Sequence, residues 1–462
     1  MSRFQLSLCC SSLALLAASA SFAAAPAAAD PAAALPAPAA DPAGGFSAGA
    51  GDSAGQPRTL TLQQALELVD HDNPDLERQR AQIALAQAVA QQALRGVLPI
   101  ITASGHYVRN SEEARLGPGG GIVLQPRESL SASTRVDVPL FAQNAYSDIA
   151  RAGELSKAER AAYEAQRQQL RGTVVRACWL VESARAVLRV AEQGVLSASE
   201  HHESTRRAAE AGTSTRLSVL QAQSELARRR GELTEAHAAV ARSELTLGTL
   251  LGKAEPVRVQ LPALLGGEAP PGSAQRSALV NEALGQRKEL TQREAELRAS
   301  EHGVTGSAMR FLPGISGSFE AFASDQPYLT GDKEGWRAGI DLTWTLYDGQ
   351  YRYGKRAEAV AQRQRARALQ KATQLQISKE VQDALREVQV AEARVLTSTE
   401  ESHAADETAS SAQRSFAAGQ ATSLDVIDSL DRRTQAAVGL ETARANLGLA
   451  LADLRTARGI SW

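Results

Sequence analysis

Two periods of apolar residues alternate along the chain. Leu62, Ala65, Leu66 and Val69 recur at helical spacing and predict a helix over roughly 60–95; a second is predicted over roughly 276–309. After Pro99 the period shortens to two. Ile101, Ala103, Gly105 and Tyr107 share one face, with Thr102, Ser104 and His106 opposite. Leu130, Ala132, Val136 and Val138 then alternate with Ser131, Ser133, Arg135 and Asp137. Later in the chain Ile315, Gly317, Phe319 and Ala321 alternate with Ser316, Ser318 and Glu320. Trp336, Ala338, Ile340, Leu342, Trp344 and Leu346 alternate with Arg337, Asp341, Thr343 and Thr345. Four strands are therefore predicted, over about 99–109, 129–140, 313–323 and 336–346. Strands of about ten residues with one apolar face fit a surface between lipid and water, with Trp336 and Trp344 as interfacial aromatics. An antiparallel sheet packed on a core gives the same alternation. Four strands cannot close a barrel, so the membrane reading requires an oligomer.

From Ala142 to Ala211 there is no proline and no strong turn signal. Some seventy helical residues rising about 1.5 Å each would span about 100 Å. Val174, Val181, Leu188 and Val195 repeat every seven residues, and Ala177, Ala184, Ala191 and Ala198 follow three residues later. This is a heptad seam whose alanines let a neighbouring helix come close. A free two-stranded coiled coil shows the same repeat, but it has no use for embedded strand pairs.

The chain is written twice. A shift of 207 residues carries Gly212 onto Gly419, and Val174, Val181 and Leu188 onto Val381, Val388 and Val395. It also carries Ala177 and Ala184 onto Ala384 and Ala391. Gly96-Val97-Leu98-Pro99 and Arg310-Phe311-Leu312-Pro313 match at a slightly different shift, as loops of unequal length require. The expected units are a first repeat at 58–255, a connector at 256–275 within the Gly/Pro-rich stretch Gly252 to Ser273, and a second repeat at 276–462.

The N-terminus places Arg3 before an apolar run around Leu13 to Ala18, followed by Ser21-Phe22-Ala23. This predicts a secretory signal peptide over 1–23. Cys9 and Cys10 precede the apolar run, so no lipid anchor is expected. Residues 24–57, rich in Ala, Pro and Gly, read as a disordered linker. Beyond them no apolar stretch of about 18 residues appears, so no membrane-spanning helix is expected; a closed β-barrel remains open to an exported chain.

Composition narrows the function. Aromatics make up only 4 % and the net charge is −2, with no basic stripe, so nucleic acid is not an expected partner. Cys178 would be the one cysteine left after export, and it reads as a small buried side chain. His201-His202 is the one histidine cluster and reads as a solvated helix face, since a zinc site needs further ligands at ordered spacing. No nucleophile–base set, phosphate loop or dinucleotide fingerprint is present, so neither an enzyme, a cofactor nor a metal is expected.

Two turns carry the sharpest signal. Arg207-Ala208-Ala209-Glu210-Ala211-Gly212-Thr213-Ser214-Thr215-Arg216-Leu217-Ser218-Val219-Leu220 is echoed by Ser415-Phe416-Ala417-Ala418-Gly419-Gln420-Ala421-Thr422-Ser423-Leu424-Asp425-Val426-Ile427-Asp428. In each, glycine supplies the left-handed residue that ends a helix, and a following Thr or Ser caps the next. Phe416-x-x-Gly419-x-x-x-x-Leu424-Asp425-Val426-Ile427 resembles the helix-hairpin tip of TolC-family outer-membrane efflux proteins. Leu60-Thr61-Leu62-Gln63-Gln64-Ala65-Leu66, followed by Asn73-Pro74-Asp75-Leu76, is similar to that family's opening helix. The resemblance spans about 58–459.

The resemblance implies a mainly α protein with membrane β-strands. Three subunits, each giving four strands, would form a 12-stranded barrel above a periplasmic α-helical tunnel. The implied partners are a periplasmic adaptor, an inner-membrane pump of RND or ABC type, and outer-membrane lipid. The implied function is the exit duct of a tripartite efflux or type I secretion system; the alternative is an exported, non-conducting coiled-coil scaffold. Gly212, Thr213, Gly419 and Gln420 correspond to tips that meet the adaptor. Asp425 and Asp428 match acidic positions lining the periplasmic constriction in some members. Ser218 stands where the first half carries an acidic residue, and Phe416 and Ala421 stand where some members have Tyr and Arg. The closing network is therefore expected to be built differently here.

Overall fold

The computed structural model describes residues 58–116, 122–261, 273–326 and 332–462. The expected signal peptide, the linker and part of the connector lie outside the described residues. In chain order the elements are β1 (Arg58–Thr61), α1 (Leu62–Asp72), α2 (Pro74–Ala93), β2 (Ile100–Arg109), β3 (Ala114–Leu116), β4 (Ile122–Gln125), β5 (Glu128–Phe141), α3 (Ala145–Glu210) and α4 (Arg216–Leu250). They continue with β6 (Val257–Gln260), α5 (Ser273–Gln286), α6 (Lys288–Met309), β7 (Gly314–Ser324), β8 (Glu334–Thr343), α7 (Tyr351–Ala417) and α8 (Ser423–Ala457).

Both opening helices are broken where one helix was expected. Pro74 has no N–H to continue α1, so the chain restarts at Asn73, whose side chain accepts from the Asp75 amide at 2.9 Å. The same Asn73 amide donates to the Leu250 carbonyl at 3.0 Å, tying the break to the end of α4. The second opening helix breaks at Arg287, whose backbone is extended. The expected connector begins with β6, which pairs in parallel with β1 across the whole first repeat, Arg58 opposite Val257. The loop between the first strand pair carries the small β3–β4 hairpin.

The long helices follow the heptad prediction. α3 has 66 residues and α7 has 67, each about 100 Å at 1.5 Å per residue. Val174, Val181 and Cys178 of α3 sink into a core with Leu66, Val69 and Leu76 of the opening helices, Leu247 of α4 and Val257 of β6. Ile377, Val381, Leu385 and Val388 of α7 build a second core with Ala283 and Leu290 of the second opening pair and Leu454 of α8. Each fully buried Val or Ile contributes roughly 1.5–3 kcal/mol by leaving water. Burial pushes the Cys178 thiol up to about 12, so it is an inert core group. Small residues set the helix spacing at a chosen point: a Cβ on Gly448 of α8 would lie 2.6 Å from the Trp179 ring of α3.

The four predicted strands form one antiparallel sheet in the order β2-β5-β7-β8, so the two halves join through β5 and β7. The register aligns the apolar sets. Ile101 pairs with Val136, Val136 with Phe319, and Phe319 with Ala338. Val138, Gly317 and Ile340 form the next row, and Ile315 faces Leu342. The opposite face pairs Arg135 with Glu320 and Glu320 with Arg337, where Arg337 reaches the carboxylate at 2.7 Å. β8 ends at Thr343, earlier than expected. Trp344 lies beyond it and donates to the Phe311 carbonyl at 3.1 Å.

Candidate functional site at the hairpin tips

The ends of α3 and α7 are the same motif built twice. Gly212 (φ 77°) and Gly419 (φ 72°) are left-handed. Each lets the backbone fold over its own helix end. The Gly212 amide donates to the Ala209 carbonyl and the Thr213 amide to the Ala208 carbonyl; Gly419 donates to Phe416 and Gln420 to Ser415. This paired closure satisfies the last carbonyls of each helix and needs a residue without a Cβ at the turn. Gly252 and Gly459 end α4 and α8 in the same way, also 207 residues apart.

The restarts differ between the halves. Thr422 caps α8 by accepting from the Asp425 amide at 3.2 Å. Asp425 returns the bond, its carboxylate accepting from the Thr422 amide at 2.8 Å and the Thr422 hydroxyl at 2.7 Å. These bonds hold the Asp425 carboxyl below its ordinary value, the Thr422 side chain being the largest cause. In the first half Thr215 accepts from the Ser218 amide at 3.2 Å, and the two hydroxyls meet at 3.0 Å. Ser218 thus holds the capping place of Asp425 without its charge. Asp428 lies one turn further on and is exposed, as are Gly212, Thr213, Gly419 and Gln420. Built onto either tip glycine, a Cβ meets no atom within 4 Å, so the turns point into open space.

Phe416 does not point outward with them. It packs with Ala409, Ala412, Val426 and Leu430 in a small core just behind the second turn. Against its edge, 5.4 Å between centroids, lies His201 of α3. This corrects the solvated-face expectation: His201 is only 6 % exposed, and its Nε2 lies 3.0 Å from the Ser423 hydroxyl on α8. The heptad carried the signal, because seven residues past Ala198 the seam falls on Thr205, which is fully buried and donates to the His201 carbonyl at 2.9 Å. A second polar tie also escaped the sequence reading. Arg229 of α4 is buried, with Glu225 and Asp431 both at 2.7 Å and Glu232 at 3.0 Å. Asp431 belongs to α8, so this ion cluster also joins the first hairpin to the second.

At the other end of the molecule, no described part of the chain covers the exposed apolar side chains of the sheet. Ile101 and Trp336 are 71 % exposed, Ile340 76 % and Leu342 64 %. No helix among the described residues is long and apolar enough to cross a membrane.

The same combination of membrane-type sheet and long helical hairpins recurs in solved proteins. The fold matches the outer-membrane channel OprN with a TM-score of 0.74 at 20 % identity, covering 87 % of this chain and 90 % of that one. It matches VceC of Vibrio cholerae with a TM-score of 0.74 at 18 % identity, covering 87 % and 96 %. CusC, whose structures describe transmembrane channel formation, matches with a TM-score of 0.77 at 16 % identity, covering 87 % and 92 %. No curated protein matches the sequence. The outer membrane efflux protein family model matches residues 61–253 and again 279–459. With both halves matched and the fold of an outer-membrane channel throughout, the chain belongs to the outer membrane efflux protein family.

Proposed function

We propose that this protein is the outer-membrane exit duct of a tripartite efflux or type I secretion system, working as a homotrimer. The observation that carries the proposal is the sheet: an uncovered apolar face, a charged opposite face, and outer strands β2 and β8 that each have one partner among the described residues. Exposed strand edges are satisfied by pairing or by closure. In a bilayer every backbone group must be paired, so three copies joined β2 to β8 would complete a 12-stranded barrel with the apolar face to lipid. The long helices would then continue below it as a periplasmic tunnel, and the exposed turns at Gly212, Thr213, Gly419 and Gln420 would meet a periplasmic adaptor coupled to an RND or ABC pump. We place the two repeats at 58–255 and 276–462, preceded by a signal peptide cleaved after about residue 23. Native mass measurement of the detergent-extracted protein should return a trimer. A stable monomer would overturn the assembly.

In a trimer Asp425 and Asp428 become two rings of three carboxylates, one helical turn apart. The capping bonds of Asp425 favour its charged form and hold its carboxyl below the ordinary value. Its contribution to the cap is therefore present above its ordinary value of 3.8 and is lost only as pH falls through the lower folded value. Rings of like charge at a narrow entrance attract cations and bind polyvalent ones. In planar bilayers the Asp425→Ala, Asp428→Ala double variant should lose cation preference and block by a trivalent cation. Unchanged selectivity and unchanged block would leave Asp425 only its capping role.

A further inference from the structure

We infer that His201 is a pH-operated latch that fastens the first helical hairpin to the second just behind the tips, and releases it as the pH falls through the weakly acidic range. The inference rests on the exit-duct reading only for its consequence, the opening of the periplasmic entrance; the latch itself is a property of one chain.

The geometry joins three long helices at one imidazole. His201 comes from α3, its edge-on ring neighbour Phe416 from the last turn of α7, and its hydrogen-bonding partner Ser423 from the first turn of α8. Ser423 is itself buried and follows the Thr422 cap directly, so its position is fixed by the start of α8. The contact therefore reads the register between hairpins at the end furthest from the membrane sheet. A neutral imidazole suits this place. It hydrogen-bonds Ser423 through Nε2 and stacks its edge on a phenyl ring without a charge to hydrate.

A protonated ring does not suit it. Burial is the largest influence and lowers the proton affinity of His201; a hydrogen bond to the Ser423 backbone opposes it, and His202 beside it lowers it further. Several charged groups on these helices are engaged with other partners. On α3, Glu203 pairs with Arg206. On α8, Asp425 is held by Thr422. On α7, Arg414 turns to the Ser411 hydroxyl. On α4, Arg229 is satisfied by Glu225, Glu232 and Asp431. Among the described residues no carboxylate forms an ion pair with His201.

The direction of the effect follows from linkage. With the hairpins parted, His201 is hydrated and titrates near its ordinary value of 6.5; joined, it titrates lower. The parted state thus binds more protons. The latch is at full strength above about 6.5 and weakens as pH falls, the parting equilibrium rising by up to about tenfold per pH unit until the lower value is passed. The two larger cores along α3 and α7 and the Arg229 ion cluster remain, so release loosens the tips rather than unfolding the helices.

Hydrogen–deuterium exchange of the full-length wild-type protein in detergent should show it. After correction for intrinsic exchange, segments 198–206 and 414–426 should exchange up to about tenfold faster at pH 5.5 than at pH 7.5. Unchanged protection there would overturn the latch, whether or not the protein conducts. His201→Gln keeps a hydrogen-bonding group without a titrating one, and should hold these segments protected at both pH values; His202→Gln should keep the wild-type response. In planar bilayers, wild-type conductance should rise when the side bearing the tips is taken from pH 7.5 to 5.5, and His201→Gln should stay flat. A response unchanged in His201→Gln would also overturn the latch. A protein that conducts at neither pH would refute the duct reading while the exchange data still decide the latch.

Discussion

Ile340→Arg should stop the protein from assembling in the outer membrane while leaving its helical hairpins folded. Ile340 sits in β8, paired with Gly317, and is 76 % exposed on the face that carries Val138, Phe319 and Leu342. In water an exposed isoleucine exchanged for arginine is close to neutral. Against lipid the same exchange costs roughly 2–4 kcal/mol near the bilayer midplane and less toward the interface. In the proposed trimer the cost would be met three times in one barrel. Ser318→Lys provides the contrast, because Ser318 lies on the opposite face beside Asp341 and should tolerate the charge. Membrane fractionation with heat-modifiable gel mobility reads both. Equal insertion of Ile340→Arg and Ser318→Lys would show that the apolar face does not meet lipid.

Gly419→Trp should abolish transport with the proposed trimer and its membrane insertion intact. Two effects combine at this position. The backbone is left-handed, and a residue with a Cβ costs roughly 1–2 kcal/mol there. That strain is confined to a turn whose bonds are local, Gly419 to Phe416 and Gln420 to Ser415, so the long helices do not depend on it. A Cβ at this turn meets no atom within 4 Å, so the side chain leaves the backbone into open space. It projects from the tip into whatever docks there. Drug accumulation in cells and adaptor cross-linking should both fail, while native mass and fractionation match wild type. Normal efflux by Gly419→Trp would remove the tip from the docking surface. Gly212→Trp offers a comparison between the two hairpins, since its turn has the same geometry with a neutral Ser218 in place of Asp425.

Features set by local rules were readable in the sequence. The period-two runs at Ile101–Tyr107 and Trp336–Leu342 specify strands, because a pleated strand turns alternate residues to opposite faces. The heptad at Val174 and Val181 specifies the buried stripe of a long helix. Glycine followed by threonine marks where each hairpin turns, because only glycine enters the left-handed region cheaply and threonine can cap the next helix. The duplication at 207 residues needs no structure to be seen.

What depends on distant pairing was not readable. β1 and β6 are four residues each, too short to show a period, and they exist because Arg58–Thr61 and Val257–Gln260 meet across a whole repeat. Apolar alternation alone left a membrane strand and a core strand equal; the exposure of Ile101, Trp336, Ile340 and Leu342, decided by which described helices do not pack on that face, is what supports the proposed membrane reading. His201 looked like one of two histidines on a solvated helix; the heptad placed it beside the buried seam at Thr205, but a residue on the flank of a seam carries no mark of which partner faces it. Only the packing of α3 against the start of α8 and the end of α7 brings Ser423 and Phe416 to it, and with them the burial that makes its charge state matter. The sequence by itself determined the elements, the repeat and the turns, because these follow from steric and hydrophobic rules acting over a few residues. The tertiary structure decided which faces stay uncovered and which polar groups are buried, because both are set by partners hundreds of residues away.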